Sequence, residues 1–285
     1  MIIQITMTKN EAFLLKEMLP IWQRYADAFI FMNDGSTDET NEFLMENKEK
    51  FNILSILNTN RNDNDLAIES DMRQKLFDEA FKYSGKIICM DSDEYLDGNL
   101  NKEQLNYILD TYKNTLFHLN WIQYVSNDEI RVDDKWKDHL ADRIGSYTTN
   151  TNTKFKNIQM HSEHLPNPGN GARFTIPNLF VSHAQWLDKK YVATKQYFWK
   201  IVDYVNRTEF GIQTIDCREY DNSVNNFNWE IEKFDFPLKI NSNIYQNQTL
   251  SNNYKHKFIK ENIKKYNIPN LNDWGMGFHE CHQEY

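Results

Sequence analysis

The chain has 285 residues, of which 40% are hydrophobic and 26% charged, with a formal net charge of −9 at pH 7. That is enough apolar material for one large domain or two small ones, and the acidic balance speaks against general affinity for nucleic acid or an anionic membrane. No apolar stretch approaches the roughly 18 to 20 residues that span a bilayer, and Met1 to Thr6 lacks the regions of a signal peptide, so the expected compartment is cytoplasmic.

In chain order, Ile2 to Thr6 predicts a short strand. Asn10 is placed to cap a helix carrying Ala12, Leu15, Met18, Leu19 and Trp22 on its inner face, and Pro20 is expected to kink or end that helix. A second strand, Ala28 to Met32, runs into Asn33-Asp34-Gly35-Ser36-Thr37-Asp38-Glu39. There an Asp-Gly turn precedes Ser36 and Glu39 at capping-box spacing, which predicts the start of the next helix. Phe51 to Leu57 reads as a third strand, and residues 66 to 83 place Met72, Leu76, Phe77, Ala80 and Phe81 on one helical face. The apolar run from Lys86 to Met90 then stops in the carboxylates Asp91, Asp93, Glu94 and Asp97.

Strands joined through helices imply a parallel sheet with right-handed crossovers, so the first hundred residues read as a nucleotide-binding type of half-domain. In an open α/β sheet ligands bind outside the carboxyl ends of the strands, which predicts Asp91 and Asp93 at a ligand site. Two carboxylates two residues apart must separate, share a proton or meet a cation. Hard oxygen ligands suit Mg²⁺ or Mn²⁺. The competing reading is an acidic turn after a core strand.

Three motifs carry a resemblance: Thr6-Met-Thr-Lys-Asn10-Glu11-Ala12, then Asn33-Asp34-Gly35-Ser36-Thr37-Asp38-Glu39-Thr40, then Arg73 eighteen residues before Asp91-Ser92-Asp93. In order and spacing this resembles family 2 glycosyltransferases of the GT-A fold, over about residues 1 to 100 and more weakly beyond. The resemblance implies a Rossmann-like, mostly parallel α/β sheet flanked by helices, with a C-terminal helical extension. It also implies a donor half over 1–100, an acceptor half over 101–205 and an extension over 206–285. Thr6, Asn10, Glu11, Asp34, Arg73, Asp91 and Ser92 would bind a nucleotide-sugar donor, UDP- or GDP-linked. Asp34 would contact base or ribose, Asp93 would ligate Mn²⁺ or Mg²⁺ directly, and Asp91 would touch ribose or metal-bound water. Local alternatives stay open: Asp34 and Asp38 as turn residues, Asn10 and Glu11 as a cap and first-turn acid, and Arg73 paired with Glu69 or Asp71.

Farther along, Asn178 to His183 places a His at the end of an apolar strand, before a Lys- and aromatic-rich helical stretch from Leu187 to Val205. The resemblance makes His183 the remaining metal ligand, with Lys189, Lys190 and Lys195 near the diphosphate; a hydrogen-bonded core His and a solvated helix face are the alternatives. Trp121, Tyr124, Trp136 and Tyr147 offer ring faces for a sugar acceptor, or pack in the core. Inversion at the anomeric carbon needs a carboxylate base, for which Asp134, Asp138, Asp142 and Glu163 are candidates, Asp138 and Glu163 first. The breaker-rich segment His164 to Gly171 reads as a lid or a long connection. Asn241 to Asn253 reads as a polar connector and Tyr254 to Tyr266 as a terminal amphipathic helix. His279-Glu-Cys281-His282 is too crowded for a usual zinc site. Cys89, Cys217 and Cys281 are odd in number and widely spaced, which predicts reduced thiols.

The function these readings support is a metal-dependent, inverting glycosyltransferase acting on a carbohydrate or glycoconjugate. The alternatives are a sugar nucleotidyltransferase and a non-catalytic protein of the same fold that binds glycan or nucleotide sugar.

Overall fold

A computed structural model describes residues 1–59, 69–133, 136–148, 153–155, 163–168, 172–210, 228–246 and 254–266. The first four strands are β1 (Ile3–Thr8), β2 (Ala28–Asn33), β3 (Ile53–Asn58) and β4 (Lys86–Cys89). They are joined through α1 (Ala12–Trp22), α2 (Thr40–Glu46) and α3 (Glu69–Phe81), and they pair in parallel in the order β3-β2-β1-β4. β2 shows why a nearly continuous apolar run belongs here. Phe29 and Phe31 face one layer with Leu14, Leu15, Met18, Leu19 and Trp22 of α1. Ile30 and Met32 face the other, with Met72, Leu76, Phe77 and Ala80 of α3. Alternate side chains of a strand point to opposite faces, so a strand covered on both sides must be apolar at every position. Each such side chain contributes about 1.5–3 kcal/mol on burial.

Beyond β4 the sheet turns mixed. β5 (Glu94–Gly98), α4 (Lys102–Thr111), β6 (Thr115–Gln123), β7 (Glu129–Arg131), β8 (Leu140–Ser146) and β9 (Ala172–His183) follow. They complete an eight-stranded order β3-β2-β1-β4-β8-β6-β9-β5, while β7 pairs with β10 (Ile231–Lys233) in a two-stranded sheet. β8 runs antiparallel to β4 and β6, β9 runs parallel to β6, and β5 runs antiparallel to β9. β9 bends at Pro177-Asn178, where Asn178 has a φ of 62° and its pairing with β6 slips. Asn tolerates that left-handed backbone. After a single 3-10 turn, Gln185–Leu187, come α5 (Lys189–Phe210) and α6 (Tyr254–Tyr266), which pack through Tyr197, Phe198, Ile201, Val202, Phe258 and Ile259. The result is the expected Rossmann-like α/β sheet with a helical C-terminal region. No described helix is long and apolar enough to cross a membrane.

Several local expectations are corrected. Asn10 does not cap α1: its backbone is left-handed, φ 55°, and its Oδ1 accepts instead from the backbone N–H groups of Thr37 and Asp38 at 2.6 and 3.2 Å. Ser36 and Glu39 form no capping box, because α2 begins at Thr40 with no side-chain cap from Glu39. The Ser36 hydroxyl accepts from the Asn10 backbone N–H instead. Tertiary bonds between the two loops thus displace both local caps. Pro20 stands in the last turn of α1, which continues to Trp22. The acidic run after Asp93 is not a turn but the strand β5. Cys89 is buried and free; Cys217, Cys281 and the His279–His282 cluster lie outside the described residues, as do Asp134, His161 and residues 169–171.

Candidate active site

β1, β2, β3, β4, β6 and β9 all point the same way, so their carboxyl ends, Thr8, Asn33, Asn58, Cys89, Gln123 and His183, share one edge of the sheet. Ligands bind at that edge of such sheets because loops there diverge and leave a crevice. Asp34 follows β2 and is buried, with Oδ1 accepting from the Thr59 hydroxyl at 2.8 Å. Glu11 lies in the β1–α1 connection, and burial raises its pKa against the opposing pull of Lys255. Thr6 is buried within β1.

The three expected metal ligands fall into two groups. Asp93 is buried and its Oδ2 lies 2.8 Å from Lys195 Nζ, while Oδ1 lies 3.5 Å from His183 Nε2. Burial would raise its pKa, but Lys195 and then His183 overcome that and hold the carboxylate far below its ordinary range. Asp91, whose side chain is 40% exposed, faces His164 Nε2 at 3.1 Å and an Arg73 guanidinium nitrogen at 3.7 Å. His164 and Arg73 likewise outweigh burial and depress its pKa.

The His183 ring is oriented by a neighbour that the sequence did not single out. Gln123 and Glu94 flank His183 in register on either side of β9. Gln123 Oε1 accepts from Trp186 Nε1 at 2.6 Å, and an indole N–H only donates, so that atom is the amide oxygen. His183 Nδ1 lies 2.6 Å from the same oxygen and therefore carries the proton. His183 Nε2 then faces the Asp93 carboxylate. A ring nitrogen and a carboxylate oxygen 3.5 Å apart in a buried place are joined either by a proton on the ring or by a cation between them. A carboxylate with an imidazole nitrogen whose tautomer is set from behind fits a divalent transition ion such as Mn²⁺.

A second cluster also brings ligand atoms together: Asp91, Glu94 and His164 lie within 4.8 Å of one another. Glu94, fully buried, already receives two bonds of 2.7 Å from the Arg143 guanidinium. A cation there would have to displace a bidentate arginine, and one at Asp93 would have to displace only the single ammonium of Lys195. Arg73 is buried and pairs with Glu69 at 2.8 Å, as its local alternative anticipated, while also reaching toward Asp91. Burial, with Arg143 and Arg73 adding to it against Asp91, pushes the pKa of His164 down.

The remaining expected residues scatter. Trp121 reaches the site, stacked on the His183 ring at 4.8 Å and 13°, with Arg143 5.2 Å from its centroid. Tyr124 sits in the core and its hydroxyl donates to the Phe236 carbonyl. Tyr147 is also in the core, packed on Phe77. Asp138 is exposed on the turn that leads to His139, whose ring lies 5.2 Å from Trp121. Glu163 is half-buried beside His164, and Asp142 faces His118 at 2.7 Å.

Sequence reasoning named Glu94 only as part of the acidic run and did not single out Gln123, Arg143, Tyr245 or Lys255. Tyr245 and Lys255 come from the C-terminal segment and are both buried. Burial pushes the Lys255 ammonium down to about 8, opposed by Glu11 and assisted by Lys195. Only the strand-end position of Gln123 carried a usable signal.

No protein-family model matches the chain, and no curated protein matches it. Solved structures show low likeness. HddC from Yersinia pseudotuberculosis is 12% identical over 51% of this chain and 74% of its own, with a TM-score of 0.29. The mannosyltransferase PcManGT from Pyrobaculum calidifontis, in complex with GDP-Man and Mn²⁺, is 11% identical over 96% and 77%, with a TM-score of 0.37. A nucleoside-diphosphate-sugar pyrophosphorylase from Vibrio cholerae RC9 is 10% identical over 91% and 100%, with a TM-score of 0.31. Likenesses this low carry nothing about activity.

Proposed function

We propose that the chain is a metal-dependent glycosyltransferase of GT-A type. It would move a sugar from a UDP- or GDP-linked donor to a carbohydrate or glycoconjugate acceptor with inversion. The observation that supports this best is the His183–Asp93 pair. The ring nitrogen Nε2 and a carboxylate oxygen are held 3.5 Å apart at the carboxyl edge of the sheet, with Lys195 beside them.

In this reading Asp93 and His183 hold Mn²⁺ or Mg²⁺, and Asp91 lies toward the ribose or a metal-bound water. When bound, the ion neutralises charge building on the departing diphosphate. Lys195 adds a second positive charge at the same place. Asp34, fixed by Thr59, receives the nucleoside, and Arg73 orients Asp91 from below. Trp121 holds His183 by stacking and lines the acceptor side, while Tyr124 is left out because it lies in the core. Asp138 or Glu163 would take the acceptor hydroxyl's proton.

The test is thermal unfolding with a panel of nucleotide sugars and nucleoside diphosphates, with and without Mn²⁺, on wild type and Asp93→Ala. A selective, Mn²⁺-dependent rise that disappears in the variant is expected, worth about 2.7 kcal/mol at a hundredfold excess over Kd. No shift with any nucleotide would sink the glycosyltransferase reading.

A further inference from the structure

Two elements that follow the sheet in the chain reach back to its carboxyl edge. The turn over 242–246 carries Tyr245, which is 3% exposed and stacks on Tyr191 of α5 at 4.1 Å. Its hydroxyl has no hydrogen-bond partner, and the carboxylates of Asp93 and Glu11 both act on it. Ser92 Oγ, 2% exposed and beside the Glu11 carboxylate, also makes no bond of normal geometry. An unpaired buried hydroxyl costs about 1–3 kcal/mol, so that of Tyr245, among these carboxylates, marks a place made for a polar ligand.

Lys255 enters the same place from α6. It is 4% exposed, with Nζ 5.7 Å from the Tyr191 ring centroid, and it interacts with Glu11, Asp93, Lys195 and Lys9. Burying an ammonium close to other cations is unfavourable for folding, where a methionine of similar length would pack without that cost. The charges around the place explain its presence. Glu11, Asp93 and Asp91 balance Lys195, Lys255 and Lys9, and a divalent cation at Asp93 and His183 would leave the surroundings at about +2, opposite to the charge of a nucleotide sugar's diphosphate.

We infer that Lys255 and Tyr245, supplied by the C-terminal segment, form with Lys195 the far wall of the diphosphate pocket. The donor site begun by the first four strands is thereby completed by α6 and the turn before it. This rests on the nucleotide-sugar reading above.

Calorimetric titration of the full chain with UDP, GDP and the matching monophosphates in Mn²⁺, together with thermal unfolding without ligand, tests the wall. Lys255→Met and Tyr245→Phe should each weaken the diphosphate that wild type binds by about tenfold or more, and the monophosphate far less. Tyr245→Phe should not lower Tm without ligand, because it loses only an unpaired hydroxyl, whereas Lys255→Met also takes a cation from beside Glu11, so its Tm is read separately from its affinity. Tyr245→Phe keeps the test open if Lys255→Met fails to fold. Wild-type diphosphate affinity in both variants overturns the wall and leaves the donor reading standing. So does an equal loss for mono- and diphosphate accompanied by a lower Tm, which is the behaviour of a purely structural contact. A wild type that binds neither diphosphate overturns the donor reading, and the wall with it.

Discussion

Asp93 and Glu94 are neighbours in the chain, both buried and both facing cations, yet they are held in different ways. Glu94 has both oxygens bound by the planar fork of Arg143 at 2.7 Å. Asp93 has one oxygen on the flexible ammonium of Lys195 at 2.8 Å and the other toward His183 at 3.5 Å. A guanidinium matched bidentately to a carboxylate resists replacement, whereas an ammonium on a four-carbon stem moves aside at little cost. Asp93 closes the turn before β5 and Glu94 opens the strand, so the two side chains meet different partners. The presence of a carboxylate therefore says less about its role than the geometry of its partner.

The largest effect should come from breaking the framework pair. Arg143→Met leaves Glu94 buried without its partner and should cost about 3–5 kcal/mol, read as a lower urea midpoint. Asp93→Asn should cost clearly less, because Lys195 can turn toward solvent, while abolishing the Mn²⁺-dependent nucleotide shift. Equal losses in the two variants would break the distinction.

A smaller effect sharpens the metal side. Gln123→Leu removes the oxygen that fixes the protonated Nδ1 of His183, and Mn²⁺ affinity should fall about ten- to a hundredfold. Unchanged Mn²⁺ binding would mean that the ring orientation is irrelevant to the cation.

The smallest lies at the opposite edge of the sheet, at a carboxylate that is purely structural. Asp27 accepts from the Ile2 backbone N–H at 2.8 Å and pairs with Lys102 at 3.0 Å. Burial opposes these partners, but together they lower its pKa. A folded-state pKa below the unfolded one means that the unfolded chain binds more protons in between. The stabilisation is therefore complete above about pH 4 to 5 and is lost as pH falls through the folded-state value. Because Asp27 is over a third exposed, Asp27→Asn should cost under about 1 kcal/mol near neutrality and progressively less as the pH is lowered, measured by unfolding across the acid range. A cost independent of pH would exclude the charge as its cause.

The first four strands were legible because their code is local. Alternation in Phe29 to Met32 and helical spacing from Met72 to Ala80 each follow from one element's own period, and α6 matches its predicted Tyr254–Tyr266 span for the same reason. Asp93 and His183 were legible as strand-end polar residues. β5 was not, because Glu94 and Asp97 look like a solvated turn. They can be buried only because Arg143 from β8, and Arg24 and Lys239 from far along the chain, meet them there. Asn10 misled for the same reason: its side chain serves a loop 27 residues away instead of the helix beside it.

By itself the sequence determined an α/β sheet, the direction of its first strands and the edge at which polar residues gather, since burial periodicity and strand polarity are properties of short segments. Only the tertiary structure decided which carboxylate is held by an arginine and which by a lysine, which tautomer His183 adopts, and that Tyr245 and Lys255 close the same place. Those outcomes depend on groups dozens to hundreds of residues apart meeting at hydrogen-bond distance, and no period in the chain encodes that meeting.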